Sequence, residues 1–307
     1  MEIHLGVFSV GMYGFGVALA ALAGFLVLRQ AGRGEKPGAT TLALYVIPCA
    51  LVGARLLFCV VQYEYLFLEV GPLFVLQTWN GGFLLWGALL GGAGGALLTA
   101  RRANANALSV LDRLACPALA AIVLCRLAEF FTTEGRGLWL EEGSFFCRFP
   151  FAAQNEYGEW QLAVFLWEAA AAFLILLRCR RHEGKPGDRA LVMLICYSAC
   201  QIVFESLRMD STPRFGFVRA SQLFAGIALA LCAVLRACRE GNAKSAALHG
   251  LGVFLYIGTV VGVEFAIDKT QIPLPVCYGI MIAATLLLLW RVLGRKPKKA
   301  GPLTQPG

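Results

Sequence analysis

The chain has 307 residues, of which 58% are hydrophobic and 15% charged, with a net charge of +8; its mean hydropathy is +0.68. A soluble domain is roughly 45–50% apolar and about 25% charged, so this composition excludes an ordinary soluble fold and implies a chain whose solvent is lipid. The positive residues fall in short loops between apolar runs, a pattern that sets topology and meets anionic lipid. With no zinc-finger spacing and no aromatic-basic platform, no nucleic-acid partner is expected.

A helix needs roughly 20 apolar residues to cross the hydrocarbon core. Such runs occur near 7–28, 41–62, 82–100, 114–131, 162–177, 190–207, 217–236, 249–267 and 275–293. They predict an all-α, polytopic transmembrane bundle. The first run is too long for the apolar region of a signal peptide and has no basic segment before it, so it reads as an uncleaved span. Lys and Arg crowd alternate loops: Arg29, Arg33 and Lys36; Arg101, Arg102 and Arg113; Arg178 to Arg189; Arg236 to Lys244; and Arg291 to Lys299. The positive-inside rule then places the N-terminus outside and the C-terminus in the cytoplasm.

Taken in chain order, the runs carry several marked features. Arg55 interrupts the second span in Gly53-Ala54-Arg55-Leu56, where it either snorkels to an interface or joins a polar cavity. Gly81, Gly82, Gly87, Gly91, Gly92, Gly94 and Gly95 crowd the third. Small residues at three- and four-residue spacing let helices approach closely, and glycines beside Asn80 also let a headgroup reach backbone amides. Arg126 and Glu129, three apart, share one face of the fourth span. The long outer segment 132–161 holds Glu134 and two Trp, and suits the membrane interface. Glu168 is one of the few polar residues of the fifth span, and Glu205 with Arg208 ends the sixth. Arg208, Arg214 and Arg219 break the charge rule on the outer side, as chance surface charge or as a phosphate-holding patch. Glu264 in the eighth span is expected to pair with Lys269, without a catalytic role.

A charge at the bilayer centre costs about 2.5–3.5 kcal/mol on insertion scales, so such residues face one another or a polar cavity. Two readings stand. Either Arg126–Glu129 and Glu205–Arg208 are separate structural ion pairs, or they line one cavity in which arginine binds phosphate through its planar fork. The eleven Cys mostly lie in or beside apolar runs as small hydrophobes; no metal site, disulfide framework or cofactor is expected.

These residues, in this order, resemble the prolipoprotein diacylglyceryl transferases of the bacterial inner membrane, from about residue 8 to 236. Met12-Tyr13-Gly14 is similar to the family's aromatic-Tyr-Gly opening, and Gly53-Ala54-Arg55-Leu56 to its Gly-Ala-Arg-Leu. Trp79-Asn80-Gly81-Gly82 with Gly87 and Leu89-Leu90-Gly91 resembles its Trp-x-Gly-Gly and His-Gly-Gly stretch. Arg126-Leu127-Ala128-Glu129-Phe130 followed by Glu134 is similar to its Gly-Arg-Leu-Gly-Asn-Phe signature and Glu. Leu166-Trp167-Glu168 resembles Leu-Tyr-Glu, and Tyr197, Glu205, Arg208 and Ser221-Gln222 follow its last block.

The resemblance implies transfer of a diacylglyceryl group from phosphatidylglycerol to the lipobox cysteine of a prolipoprotein, with membrane lipids and the lipobox peptide as partners. It implies catalytic roles for Arg126, Arg208, Glu129 and Glu134, and substrate contacts from Tyr13, Arg55, Asn80, Gly81, Gly82, Trp86, Glu168, Tyr197 and Glu205. Its fold would be seven family-like spans within 1–240, an additional helical pair in 241–294, and a basic cytoplasmic tail, 295–307. The sequence departs from the family at Trp86, where the family has His, at Glu129, where it has Asn, and at Leu162-Ala163-Val164-Phe165, where it has His-Pro-x-Gln. Glu129 is then either a replacement base or an anion that occupies Arg126. The alternative function is a lipid-binding or partner-binding membrane protein without turnover.

Overall fold

The computed structural model describes residues 2–5, 8–32, 34–64, 66, 70–78, 81–155, 157–210, 213–215, 218–240 and 243–293. Within them, nine α-helices form one bundle: α1 Met12–Ala31, α2 Ala39–Val61, α3 Leu85–Arg102, α4 Ala107–Ala128, α5 Val164–Arg180, α6 Asp188–Leu207, α7 Ala220–Glu240, α8 Ala243–Lys269 and α9 Leu274–Leu293. Seven of them are long and apolar enough to cross a membrane. The two others are α3, whose 18 residues are rich in glycine and end on Arg101 and Arg102, and α5, whose 17 residues rise only about 25 Å. The protein is a multi-pass helical membrane protein.

The first helix begins later than its apolar run suggests. Strands β1, Glu2–Leu5, and β2, Phe8–Gly11, pair as an antiparallel hairpin before α1 starts at Met12. Aromatic and β-branched residues such as Ile3, Phe8 and Val10 suit a pleated strand, so apolarity alone misplaces the boundary.

Glycine sets the closest contact in the bundle, between α2 and α3. A Cβ at Gly87 would collide with the Gly53 carbonyl, and one at Gly91 with the Cys49 carbonyl. These glycines pack backbone on backbone, as small residues do between helices in lipid. Helix α1 also lies close on α4, where Gly16 faces the Ala128 side chain and Gly24 the Pro117 carbonyl.

Helix α6 is the axis of the second half. It is the most enclosed of the candidate spans, 72% of its apolar window being buried. Val192, Cys196, Ala199, Ile202 and Val203 of α6 share one core with Ala225 and Leu229 of α7, Val253 and Val260 of α8, and Met281 and Leu288 of α9. The C-terminal pair is therefore part of the bundle wall. Polar bonds add to this packing: Tyr256 donates to the Ala199 carbonyl at 2.8 Å, Tyr278 to that of Ser206 at 3.3 Å, and Gln222 to Glu264 at 2.7 Å. Glu264 thus turns inward to α7, and Lys269 instead meets Asp268 at 2.8 Å; the expected Glu264–Lys269 pair is not formed.

The segment between α4 and α5 is not wholly a surface strip. A 3-10 turn, Glu129–Phe131, extends α4. Strands β3, Ala152–Gln154, and β4, Trp160–Leu162, then form a small sheet, and Gly137 and Trp139 bridge to Arg208 and Gln161. The base of this segment roofs the end of α6, while Phe145, Phe146, Phe149 and Tyr157 stay exposed at its tip. A last two-residue hairpin, β5 Arg214–Phe215 and β6 Val218–Arg219, leads into α7.

Candidate functional site

Antiparallel helices bring residues distant in sequence to one end of the bundle. Arg126 lies in the last turn of α4 and Glu129 three residues on, Glu168 in the second turn of α5, Glu205 and Arg208 at the end of α6, and Arg219 just before α7. All are buried. Arg126 meets Glu129 through Nη1 at 2.5 Å and Glu168 through Nε at 2.6 Å. Arg208 reaches the other oxygen of Glu168 through Nη1 at 3.1 Å, with Glu205 at 3.9 Å and Glu129 at 4.0 Å from the same nitrogen. Glu168, with its side chain 1% exposed, therefore joins the two arginines. The two i,i+3 pairs are parts of one network rather than separate pairs.

Asp210 extends it. Arg208 holds Asp210 Oδ2 through Nε at 2.7 Å and Nη2 at 2.6 Å, and Arg219 holds Oδ1 at 2.7 Å. The Gly135 N–H donates to Oδ2 at 3.1 Å, and Arg219 also donates to the Arg208 carbonyl. Arg208 and Arg219 are thus buried around one carboxylate, while Arg214 is exposed; the three arginines are not a free surface patch. Arg126, Arg208 and Arg219 face Glu129, Glu168, Glu205 and Asp210, one carboxylate more than the guanidiniums. Glu134, at the rim, hydrogen-bonds Asp210, and its carboxyl is pushed above the ordinary carboxylate value, first by burial and then by Asp210.

The remaining expected residues divide into two groups. Tyr13, in the first turn of α1, stands beside Glu129, Cys125, Arg126 and Glu134. The Tyr197 hydroxyl lies against Arg126, and its ring meets Trp86 at a centroid distance of 6.3 Å. Trp86 therefore fills the position beside the charged network, with its indole buried. Arg55 belongs to neither the network nor a water interface. Its Nε donates to the Val75 carbonyl at 3.1 Å, Nη1 to Gly81 and, at 3.1 Å, Gly82, and Nη2 to Phe74 and, at 3.1 Å, Gln77. A guanidinium has five N–H donors, and here all are spent on backbone. Gly81 and Gly82 adopt positive φ, +73° and +78°, turning carbonyls toward Arg55 in a conformation that L side chains rarely adopt. Arg55 is a clasp for the segment before α3, buried against Phe58, Phe74 and Phe83. Asn80 lies outside the described residues.

Two site residues escape sequence reasoning. Asp210 follows Arg208 by two, and its role depends on Arg219 and Gly135, brought near only by folding. Gln201 is 1% exposed and donates to Glu205 at 2.7 Å; its signal is the i, i+4, i+8 spacing of Tyr197, Gln201 and Glu205 on one helix face.

This arrangement places fixed positive charge and carboxylates in a buried setting. Guanidiniums held by buried carboxylates are already oriented when charge develops on a reacting phosphate. A carboxylate with one oxygen tied and one open, as in Glu129, can accept a proton.

The family profile described as prolipoprotein diacylglyceryl transferase matches residues 1–238, from the hairpin before α1 through nearly all of α7. Among similar proteins are three named phosphatidylglycerol–prolipoprotein diacylglyceryl transferase. That of Lactobacillus delbrueckii subsp. bulgaricus is 27% identical over 256 residues, covering 80% of this chain and 92% of the relative. That of Streptococcus pneumoniae is 27% identical, covering 75% and 90%, and that of Staphylococcus aureus 29%, covering 73% and 82%. Every site residue from Tyr13 to Arg219 lies within the matched span, which takes in most of the chain, so this protein belongs to the prolipoprotein diacylglyceryl transferase family.

Proposed function

We propose that the chain transfers a diacylglyceryl group from phosphatidylglycerol to the cysteine thiol of a prolipoprotein lipobox, as a step of lipoprotein biosynthesis. The observation that carries this reading is the junction of Arg126 and Arg208 on Glu168, in a chain matching the family over that region. The thiol gives up its proton to a carboxylate of the network, because thiolate is the nucleophile. Its sulfur attacks the glyceryl carbon that bears the phosphate ester. A carbon–sulfur bond forms as the carbon–oxygen bond breaks, and glycerol phosphate leaves with the electron pair. Arg126 and Arg208 stabilise charge developing on that leaving group, and Glu168 fixes both guanidiniums. Tyr13 and Glu134 support them from beside the network.

The site occupies the end of the bundle opposite the Lys- and Arg-rich loops. The positive-inside rule puts those loops in the cytoplasm, so the site faces the outer leaflet of a bacterial plasma membrane, with the N-terminus outside and the C-terminus inside. Both substrates reach it laterally from lipid.

The test is transfer of labelled phosphatidylglycerol to a lipobox peptide by the purified full chain. Thioether product is expected, and Arg126→Ala or Arg208→Ala should lower its rate at least about 100-fold. No product, beside an active relative run in parallel, would reject the reading.

One observation favours a second reading, lipid or partner binding without turnover. Arg126 is held by Glu129 at 2.5 Å as well as by Glu168, and no imidazole among the described side chains stands near it. His182 and His249 lie at the opposite end of the bundle, and the side chain of His4 is outside the described residues. Phosphatidylglycerol that co-purifies with the chain while no thioether forms would select this reading.

A further inference from the structure

The guanidinium nitrogens of Arg126 and Arg208 that meet the network are engaged, while three of the site's acceptor oxygens are not. Nε and Nη1 of Arg126 each face a carboxylate oxygen, as do Nε, Nη1 and Nη2 of Arg208. In contrast, Glu129 Oε2, Glu205 Oε2 and Gln201 Oε1 are buried with no hydrogen-bond partner among the described residues. The Gln201 amide cannot simply be turned round, because its Nε2 donates to Glu205 at 2.7 Å and the reversed amide would set oxygen against oxygen. Gln201 is neutral and 1% exposed, so its open oxygen is not a by-product of acidic crowding.

These acceptors are close together. Glu205 Oε1 and Glu129 Oε2 lie 3.9 Å and 4.0 Å from the same Arg208 nitrogen, and Gln201 is bonded to Glu205. Trp86 Nε1, also buried without a hydrogen-bond partner among the described residues, sits on the ring that meets Tyr197, one turn from Gln201. A buried polar group in a native protein normally has a partner. The group that completes this set must bring donors for the three oxygens and an acceptor for Trp86. An additional anion with acceptors alone would meet open acceptors.

We propose that Gln201, Glu205 and Glu129 select the donor lipid by the hydrogen-bond donors of its headgroup. The hydroxyls of a polyol headgroup, or an ammonium in their place, dock on Gln201 Oε1, Glu205 Oε2 and Glu129 Oε2. Trp86 Nε1 donates to a headgroup oxygen. The phosphate, which every phospholipid carries, then contributes attraction without discrimination. This assignment rests on the transferase reading for its biological meaning, but its test does not depend on turnover.

The full chain in detergent is exchanged against equimolar phosphatidylglycerol, phosphatidylethanolamine and phosphatidylmethanol with identical acyl chains, and retained lipid is extracted and quantified by mass spectrometry. Phosphatidylmethanol has the charge of phosphatidylglycerol but no headgroup donor. Phosphatidylglycerol should be retained over it at least about tenfold, since a site built to bond a hydroxyl rejects the analogue lacking it. Gln201→Leu and Glu205→Gln should each narrow that ratio to about threefold or less. Retention of phosphatidylethanolamine on a par with phosphatidylglycerol would support the assignment through the ammonium, and its exclusion would support it through the hydroxyls. Equal retention of phosphatidylglycerol and phosphatidylmethanol by the unaltered chain would overturn it, as would an unchanged ratio in both variants. If lipid is ranked as expected but no thioether forms, the transferase reading fails and the headgroup assignment stands.

Discussion

At the scale of single residues, Glu134 and Asp210 set the behaviour of the site at its rim. Asp210 is committed to Arg208, Arg219 and the Gly135 amide. Glu134 hydrogen-bonds it, and the Glu134 carboxyl is raised above its ordinary value, first by burial and then by Asp210. Burial disfavours the charged form of Glu134, and a neighbouring carboxylate acts in the same direction. A carboxyl raised in the folded state binds its proton more tightly there than in the unfolded chain. Its contribution is therefore present at acid pH and is lost as pH rises through the folded value. The thermal stability of the purified protein should fall as pH rises above 4.5, the ordinary value for this group. Glu134→Gln keeps a donor for Asp210 and removes the charge, so it should flatten that fall and be the more stable form at neutral pH. Melting curves over a pH series check this; parallel slopes for the two proteins would refute it.

At the scale of elements, the α2–α3 seam makes a sharp contrast between neighbouring glycines. A Cβ on Gly91 would stand 2.9 Å from the Cys49 carbonyl carbon, whereas one on Gly94 would meet nothing within 4 Å. Overpacking costs about 1–3 kcal/mol where neighbours can yield, and backbone yields least. Gly91→Val should lower the melting temperature clearly and Gly94→Val should leave it nearly unchanged; equal effects would show that the seam is not the contact described. Such elements are legible in sequence because a bilayer needs long apolar runs and close helices need small residues. Nine apolar runs accordingly announce nine helices, with the start of α1 displaced by the hairpin. The clustering of Arg126, Glu129, Glu205 and Arg208 is legible for the same reason, since charge in a span must find charge. Arg55 shows where that reasoning fails. It is equally misplaced by hydropathy, yet its partners are carbonyls some 19 to 27 residues away, and backbone carbonyls carry no sequence signal. Asp210 fails differently, being an ordinary loop acid until folding sets it between two arginines.

At the scale of the whole molecule, α8 and α9 lie beyond the matched residues 1–238 but not apart from the site. Gln222 of α7 donates both to Glu264 of α8 and to the Ile202 carbonyl of α6 at 3.2 Å. Tyr278 of α9 bonds the Ser206 carbonyl, two residues before Arg208. The pair therefore braces the C-terminal end of α6 from behind while Glu168 and Asp210 hold Arg208 from in front. If Arg208 must be placed accurately to meet a reacting phosphate, slackening that brace should act on the chemical step, since a shift of about 1 Å at a reacting group can cost about 100-fold. Tyr278→Phe combined with Glu264→Leu in the full chain should lower kcat about tenfold or more while leaving KM for phosphatidylglycerol within about twofold. Glu264→Gln, which still offers an oxygen to Gln222, should restore most of the rate. A double variant that melts earlier yet turns over at the original kcat would reduce the C-terminal pair to packing alone.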